Sequence, residues 1–301
     1  MANWTYEALR VVEVAIEPLT VADNEKLHGA MEGLGRKDPY FGWSIDPESG
    51  QMILQGTTDE HLHHKIDVLK RGHGVNLNVG SPQVAYRETI TEPATIKQVH
   101  AKQFGGRGEF ASIVLAFAPT ERGSGFWFVN QADVGSVPAA FVPGVERGLL
   151  AARANGLLAG FPVTDLQVTL IGGAHHDLDS SEAIFEQAAR AAFRNLPDQV
   201  NPVLLEPIMR LEVIAGAGHI DGIVFDLKYR RGRIESVEPR GPAKVITALV
   251  PMSQLFGYRA VLRVFSDGHG QFTMAYDHLG VVPGPSRDDD PRFPPAAAMR
   301  A

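Results

Sequence analysis

Apolar and polar residues alternate between positions 11 and 16 (VVEVAI), the period of a half-buried strand. The period then lengthens: Leu27, Ala30, Met31 and Leu34 recur along one face of an amphipathic helix. Short strands are predicted at 41–45 and 51–54, joined by a DPESG turn. Leu62, Ile66 and Leu69 mark a second helix, and 75–79 a closing strand. The order is βαββαβ, that of the split ferredoxin-like unit.

The same order returns near the C-terminus. A strand at 211–214 precedes a helix lined by Ile220, Ile223, Val224 and Leu227. Strands at 234–238 and 244–250 form a hairpin about Arg240 and Gly241. Leu255, Tyr258, Leu262 and Phe265 then give a helix, and 271–276 a last strand. The middle, from about residue 81 to 201, differs. It has strands at 84–90, 96–103, 112–117 and 125–129, then a helix at 144–154 with Pro143 suited to its first turn. Leu166, Val168 and Leu170 alternate with polar residues as a strand. Phe185, Ala188, Ala189, Ala192, Phe193 and Leu196 stripe a final helix that Pro197 ends. Past Pro283 the sequence turns to proline, alanine and consecutive aspartates, a composition that predicts a flexible tail.

Length and composition narrow this picture. At 301 residues the chain has room for two or three domains, and 44% hydrophobic with 21% charged residues is ordinary for a soluble globular protein. The formal net charge of −7 excludes a generally basic, nucleic-acid-coating surface, though not a local RNA contact made by a few loops. With no cysteine there are no disulfides or thiolate metal sites. No apolar run is long enough to predict a membrane span, and MANWTYEALR lacks the features of an export signal, so a cytoplasmic protein is expected.

Two loops carry the candidate chemistry, both in the middle region. GGAHHDLDSSE (172–182) follows a predicted strand. Its glycines are expected at positive φ, with His175, His176 and Asp177 on the loop. Asp179 and Glu182 have the spacing of a capping box that opens the next helix. The alternative for the histidines is a pair of ordinary exposed polar residues. The second loop is Gly105, Gly106, Arg107, Gly108 and Glu109. Three glycines around an arginine let the backbone approach a phosphate chain while the guanidinium forks onto it. The alternative is a plain hairpin turn with a solvated arginine. A third candidate is the basic cluster Tyr229, Arg230, Arg231 and Arg233, which could equally be a helix end whose arginines complement the dipole.

Other chemistries find less support. No G-x-x-x-x-G-K-[ST] and no N-K-x-D occurs, so no GTP-binding site is expected. The D-x-x-G of Asp277–Gly280 falls in the last strand region and is read as chance. Asp59, Glu60, His61, His63 and His64 suggest a metal enzyme. Residues two apart on a helix point about 200° from each other, however, so His61 and His63 cannot share an ion. No metal or other cofactor is expected.

Eight segments together resemble elongation factor G. They are NVGSPQVAYRETITEP (78–93), GGRGEF (105–110), RGSGFWFVN (122–130), GFPVTDLQVTL (160–170), DSSEAIF (179–185), LEPIMRLEV (205–213), RRGRIESVEPRG (230–241) and LFGY (255–258). They keep that family's order and spacing over about residues 10 to 283. The resemblance implies a mixed α/β (α+β) chain of three domains. Residues 1–80 correspond to domain III, ferredoxin-like, and 81–203 to domain IV, which resembles domain 2 of ribosomal protein S5 with a left-handed βαβ crossover. Residues 204–284 correspond to domain V, again ferredoxin-like, and 285–301 are the tail. The family is the ribosomal translocase. Its domain IV tip enters the small-subunit decoding region beside the tRNA–mRNA pair, and its domain V meets the large subunit near the sarcin–ricin loop.

By this resemblance the two candidate loops are the tip, with His176 at the family's tip-histidine position. Domain V would add Tyr229, Arg230, Arg231 and Arg233. The chain is then a ribosome-binding module without its own GTPase and not itself an enzyme, with a separate GTPase half as a candidate partner. The alternatives are a ribosome-protecting or regulatory factor and, remotely, the histidine-based metal enzyme. The sequence departs from the family in several places. Glu109 stands where a glutamine is expected, and a carboxylate repels phosphate. Glu60 and His64 replace apolar residues that would be buried or face the GTPase half, and Asp267–Gly270 (DGHG) replaces a basic QGRG. The Asp- and Pro-rich tail replaces a C-terminal helix.

Overall fold

A computed structural model describes residues 10–46, 50–104 and 107–283. Residues 47–49 of the predicted DPESG turn, Gly105, Gly106, the side chains of Phe104 and Arg107 and the predicted tail lie outside the described residues. The chain forms two compact units, one from 10–85 with Glu206–Gly280, the other from Tyr86–Leu205 with 281–283.

The first unit begins β1 (Val12–Pro18), α1 (Val21–Lys37), β2 (Gly42–Ile45), β3 (Met52–Gly56), α2 (Asp59–Asp67), a π-helical turn (Val68–Gly72), β4 (Leu77–Val79) and β5 (Gln83–Val84). The sheet order is β2-β3-β1-β4, with β5 also on β1. Thr20 starts α1 by accepting the Asp23 N–H at 3.1 Å, and Thr58 starts α2 by accepting that of His61 at 3.0 Å. Leu27, Ala30 and Met31 of α1 and Leu62 and Ile66 of α2 are buried, as their spacing requires.

The second unit runs β6 (Arg87–Ile90), β7 (Ala94–Phe104), β8 (Arg107–Pro119), β9 (Phe126–Asn130), α3 (Val142–Arg153), β10 (Leu166–Ala174), α4 (Glu182–Arg194) and a 3-10 turn (Leu196–Asp198). Its sheet order is β7-β8-β10-β9. The β9–β10 pair is parallel, and α3 lies in the crossover between them. Phe117, Leu115, Val168, Leu170, Phe185 and Phe193 share one buried cluster. Glu88 is also fully buried. Its carboxylate accepts the backbone N–H groups of Leu157, Leu158, Ala159 and Phe161, so the charge is met by four donors rather than by a cation.

The chain returns to the first unit within β11 (Pro202–Gly216), whose residues 202–205 pair with β6 in the second unit. It then adds α5 (Ile220–Tyr229), β12 (Arg233–Arg240), β13 (Ala243–Pro251), α6 (Tyr258–Phe265) and β14 (Gln271–Val281), whose last residue falls in the second unit. The order β12-β13-β11-β14 repeats that of the first sheet. Within this unit Glu60, at the start of α2, takes the Arg259 guanidinium of α6 at 2.6 and 2.9 Å. A carboxylate at Glu60 thus has a partner inside the chain.

Candidate nucleic-acid interface

Strands β7 and β8 form a hairpin paired from Ala94↔Phe117 to Phe104↔Arg107. Strand β10 runs antiparallel to β8 and ends with Ala174 opposite Ser112. The Phe104–Arg107 end of the hairpin and the 175–181 loop therefore lie at the same end of the sheet. Asp179 joins them. Its Oδ1 accepts the Gly108 N–H at 3.2 Å and its carbonyl oxygen accepts the Phe110 N–H at 2.8 Å. Ser180 adds a third tie, its Oγ donating to the Phe110 carbonyl at 2.6 Å and accepting the His176 N–H at 2.9 Å. A Cβ at Gly108 would fall 2.6 Å from the Asp179 carboxylate, so a larger residue there would have to displace that side chain.

This geometry corrects two expectations. Gly172 and Gly173 are not at positive φ; they lie within β10, just past a register shift between Leu170 and Gly172. A side chain at Gly173 would run into the Ser112 carbonyl and Val137, so close strand approach is what demands glycine there. Asp179 does not cap the following helix. Ser181 is the cap, accepting the Ile184 N–H at 3.4 Å, while Asp179 is spent on the hairpin.

The two histidines occupy different surroundings. His175 turns inward, 6.2 Å from the Phe141 ring, with Nδ1 3.4 Å from the Ser136 carbonyl and Nε2 3.6 Å from Asp177. The His176 side chain is 55% exposed. Its Nδ1 accepts the N–H groups of Asp179 at 3.3 Å and Leu178 at 3.4 Å, with Asp179 Oδ2 at 3.2 Å. Leu178 is 89% exposed beside it, an apolar group that sequence patterning did not single out. Glu109 is held within the hairpin, its Oε2 2.8 Å from Nε2 of the mostly buried His100.

The basic cluster is largely engaged by carboxylates of the chain. Arg230 pairs with Asp226 at 2.8 Å and lies over the Tyr258 ring. Arg231 holds Glu206 through two bonds, and Arg233 pairs with Glu235 at 3.2 Å. Tyr229 and Arg233 are the most exposed of the four. In α2, His61 has both ring nitrogens engaged: Nδ1 accepts the Thr57 N–H at 3.3 Å and Nε2 donates to Asp38 at 3.0 Å. His63 Nδ1 faces the Asp59 carbonyl at 2.8 Å. Among the described residues no three His, Asp or Glu side chains are grouped to hold a metal. No helix among them is long and apolar enough to cross a membrane.

Comparison with known proteins gives a consistent pattern. Three family models match in order: elongation factor G domain III over residues 8–81, elongation factor G domain IV over 82–199 and the elongation factor G C-terminus over 203–289. An elongation factor G of Hyphomonas neptunium is 49% identical over 273 residues, 91% of this chain and 39% of that relative. A crystal structure from Thermus thermophilus superposes with a TM-score of 0.69 at 33% identity, over 90% of this chain and 40% of the other. The chain thus spans less than half the length of either.

Proposed function

The chain belongs to the elongation factor G family, and on that premise we propose that it is a ribosome-binding module: the family's translocation arm without a GTP site of its own. Residues 1–80, 81–203 and 204–284 serve as domains III, IV and V. The observation that carries this reading is the double-loop tip, in which Asp179 ties a glycine-rich hairpin to a loop presenting His176. Such an arm acts by occupying space beside the tRNA–mRNA pair. RNA is recognised there by shape and hydrogen bonding rather than by a basic surface, which suits a chain of net charge −7. Residues 105–109 and 175–177 make the decoding-region contact. Tyr229 and Arg233 are the cluster's outward groups for the sarcin–ricin region, with Arg230 and Arg231 supporting them from within.

The arm works in the cytoplasm, needs no cofactor and hydrolyses no GTP, since the sequence holds no phosphate-cradling motif. A separate GTPase half would drive it. Co-sedimentation with 70S ribosomes across a salt series tests the reading, comparing the full chain with His176→Ala and Arg107→Ala. Binding should weaken with salt, and both substitutions should weaken it further. If neither changes binding, the tip is not the contact. In translocation assays with a GTPase partner, stimulation supports the arm. Blockage would instead identify a protecting or regulatory factor.

A further inference from the structure

The helices of the second unit cover one face of its sheet. Phe128 of β9, Val168 of β10 and Leu115 of β8 pack with Leu149 of α3 and Phe185 of α4. Strand side chains alternate, so the intervening positions of 95–99, 114–118, 127–129 and 167–169 face away from both helices.

Trp127 stands on that second face and is 58% exposed. Its indole is already oriented, because Nε1 donates to the Ser124 carbonyl at 2.7 Å. A ring held this way loses little freedom when something packs on it. Gln167 is its register neighbour on β10, and the amide can donate and accept. Lys97 and Val99 are exposed on β7, at the opposite edge of the sheet. The register places Lys97 three strands across from Trp127 and four residues along, a separation of about 20 Å.

Charge and polarity select the occupant. Residues 95–99, 114–118, 127–129 and 167–169 hold no carboxylate and one cation, Lys97, in a chain of net charge −7. The segment leading to Trp127 adds Glu121 and Arg122, one charge of each sign. Such a face accepts a polyanion that most of this chain would repel. The exposed apolar groups Trp127 and Val99 lie on opposite edge strands, with the polar Gln167 and Thr169 on β10 between those edges. That is not the contiguous apolar centre of a protein interface. An ordered aromatic ring, an amide and a lysine on an open four-stranded sheet suit unpaired RNA bases.

We infer that this sheet face is a second RNA-contact surface, which takes an unpaired strand of a few nucleotides. One base stacks on Trp127 with Gln167 at its edge, and a phosphate lies at Lys97. This contact rests on the ribosome-binding reading but is made away from the tip. Trp127 lies level with Ala118 of β8, whereas the tip is at the Gly108 end of that strand.

The test uses the full chain and 70S ribosomes. p-Benzoylphenylalanine placed at position 99 should give an adduct with ribosomal RNA on irradiation. An adduct confined to ribosomal protein, or none while the chain is bound, overturns the inference. Affinity across a salt series is the second arm. Trp127→Ala should lose about tenfold without changing the salt slope, and Trp127→Phe, which keeps a stacking ring, should recover most of that loss. Lys97→Gln should reduce the slope by about one unit. Unchanged affinity in Trp127→Ala, failure of phenylalanine to rescue, or an unmoved slope in Lys97→Gln overturns the inference and leaves the tip reading in place. A parent chain that does not bind ribosomes removes both.

Discussion

The Arg231 guanidinium holds the Glu206 carboxylate through bonds of 2.7 and 2.9 Å, from a backbone at φ +60°. Arg231 N–H bonds the Lys228 carbonyl at 3.1 Å and Gly232 N–H that of Leu227 at 2.8 Å. These are the paired bonds that end a helix with a left-handed residue, a place usually given to glycine. Glu206 is 1% exposed and also accepts the Ser253 hydroxyl at 2.9 Å. The side-chain bonds offset a strained backbone.

Arg231→Gly therefore has two opposed effects. It relieves the strain, worth about 1 kcal/mol, and leaves a buried carboxylate with only Ser253, a loss of about 3–5 kcal/mol. The net should be a destabilisation of about 2–4 kcal/mol by urea denaturation, with Arg231→Ala worse than glycine. A variant as stable as the parent would show that Glu206 does not need its arginine.

Glu88 organises the loop that follows α3. Glu88→Ala should cost about 3 kcal/mol or more, because four buried N–H groups lose their acceptor together. Hydrogen exchange should accelerate first at Leu158, Ala159 and Phe161. Uniform acceleration across the second unit would mean that the carboxylate supports the whole unit rather than this loop.

Asp38 gives the first unit an acid-sensitive tie. Burial pushes its carboxyl upward, but the bonds from Lys65, the Tyr40 N–H and His61 outweigh this and hold it below the ordinary value. A carboxyl lowered by folding stabilises above its unfolded value, near pH 4, and that contribution is lost as pH falls through the folded value. The urea midpoint of the parent should drop on acidification below about pH 4. Asp38→Asn should be less stable by about 1–2 kcal/mol at neutral pH and lose less on acidification. Equal acid slopes in the two proteins would exclude this tie.

Gly108→Ala should loosen the tip without unfolding the second unit. Its Cβ meets the Asp179 carboxylate, so the Asp179–Gly108 bond must open. Faster exchange at Gly108 and Phe110 with thermal stability within about 1 kcal/mol is expected. Unchanged protection at both amides would show that the clasp adapts.

The periodic elements were legible because each depends on local spacing. The Leu27, Ala30 and Met31 stripe, the Phe185 to Phe193 stripe and the Leu166 to Leu170 alternation all face the core as their periods require. What the sequence left ambiguous depends on contacts distant along the chain. The capping-box spacing of Asp179 is real, yet Gly108, 71 positions away, competes for its carboxylate and Ser181 takes the cap. Glu88 reads as an ordinary polar strand residue until the 157–161 backbone closes on it. The arginines at 230, 231 and 233 read as a basic patch; Asp226 and Glu235 lie at local spacing to Arg230 and Arg233, but Glu206, 25 positions before Arg231, is a partner that only the fold supplies. That His176 lies on the loop after β10 was legible, whereas the Leu178 and Asp179 amides gathered at its Nδ1 were not.

Strand β8 runs from Arg107 to Pro119 with β7 bonded along one edge throughout and β10 along the other from Ser112 to Pro119. At the ordinary rise of a strand that is a rod about 44 Å long. A load applied to the tip along this axis strains many interstrand bonds in shear at once, instead of peeling them open one by one. Compression entering at Gly108 passes through covalent backbone to the far end of the sheet, which makes the second unit stiff along the axis of β8.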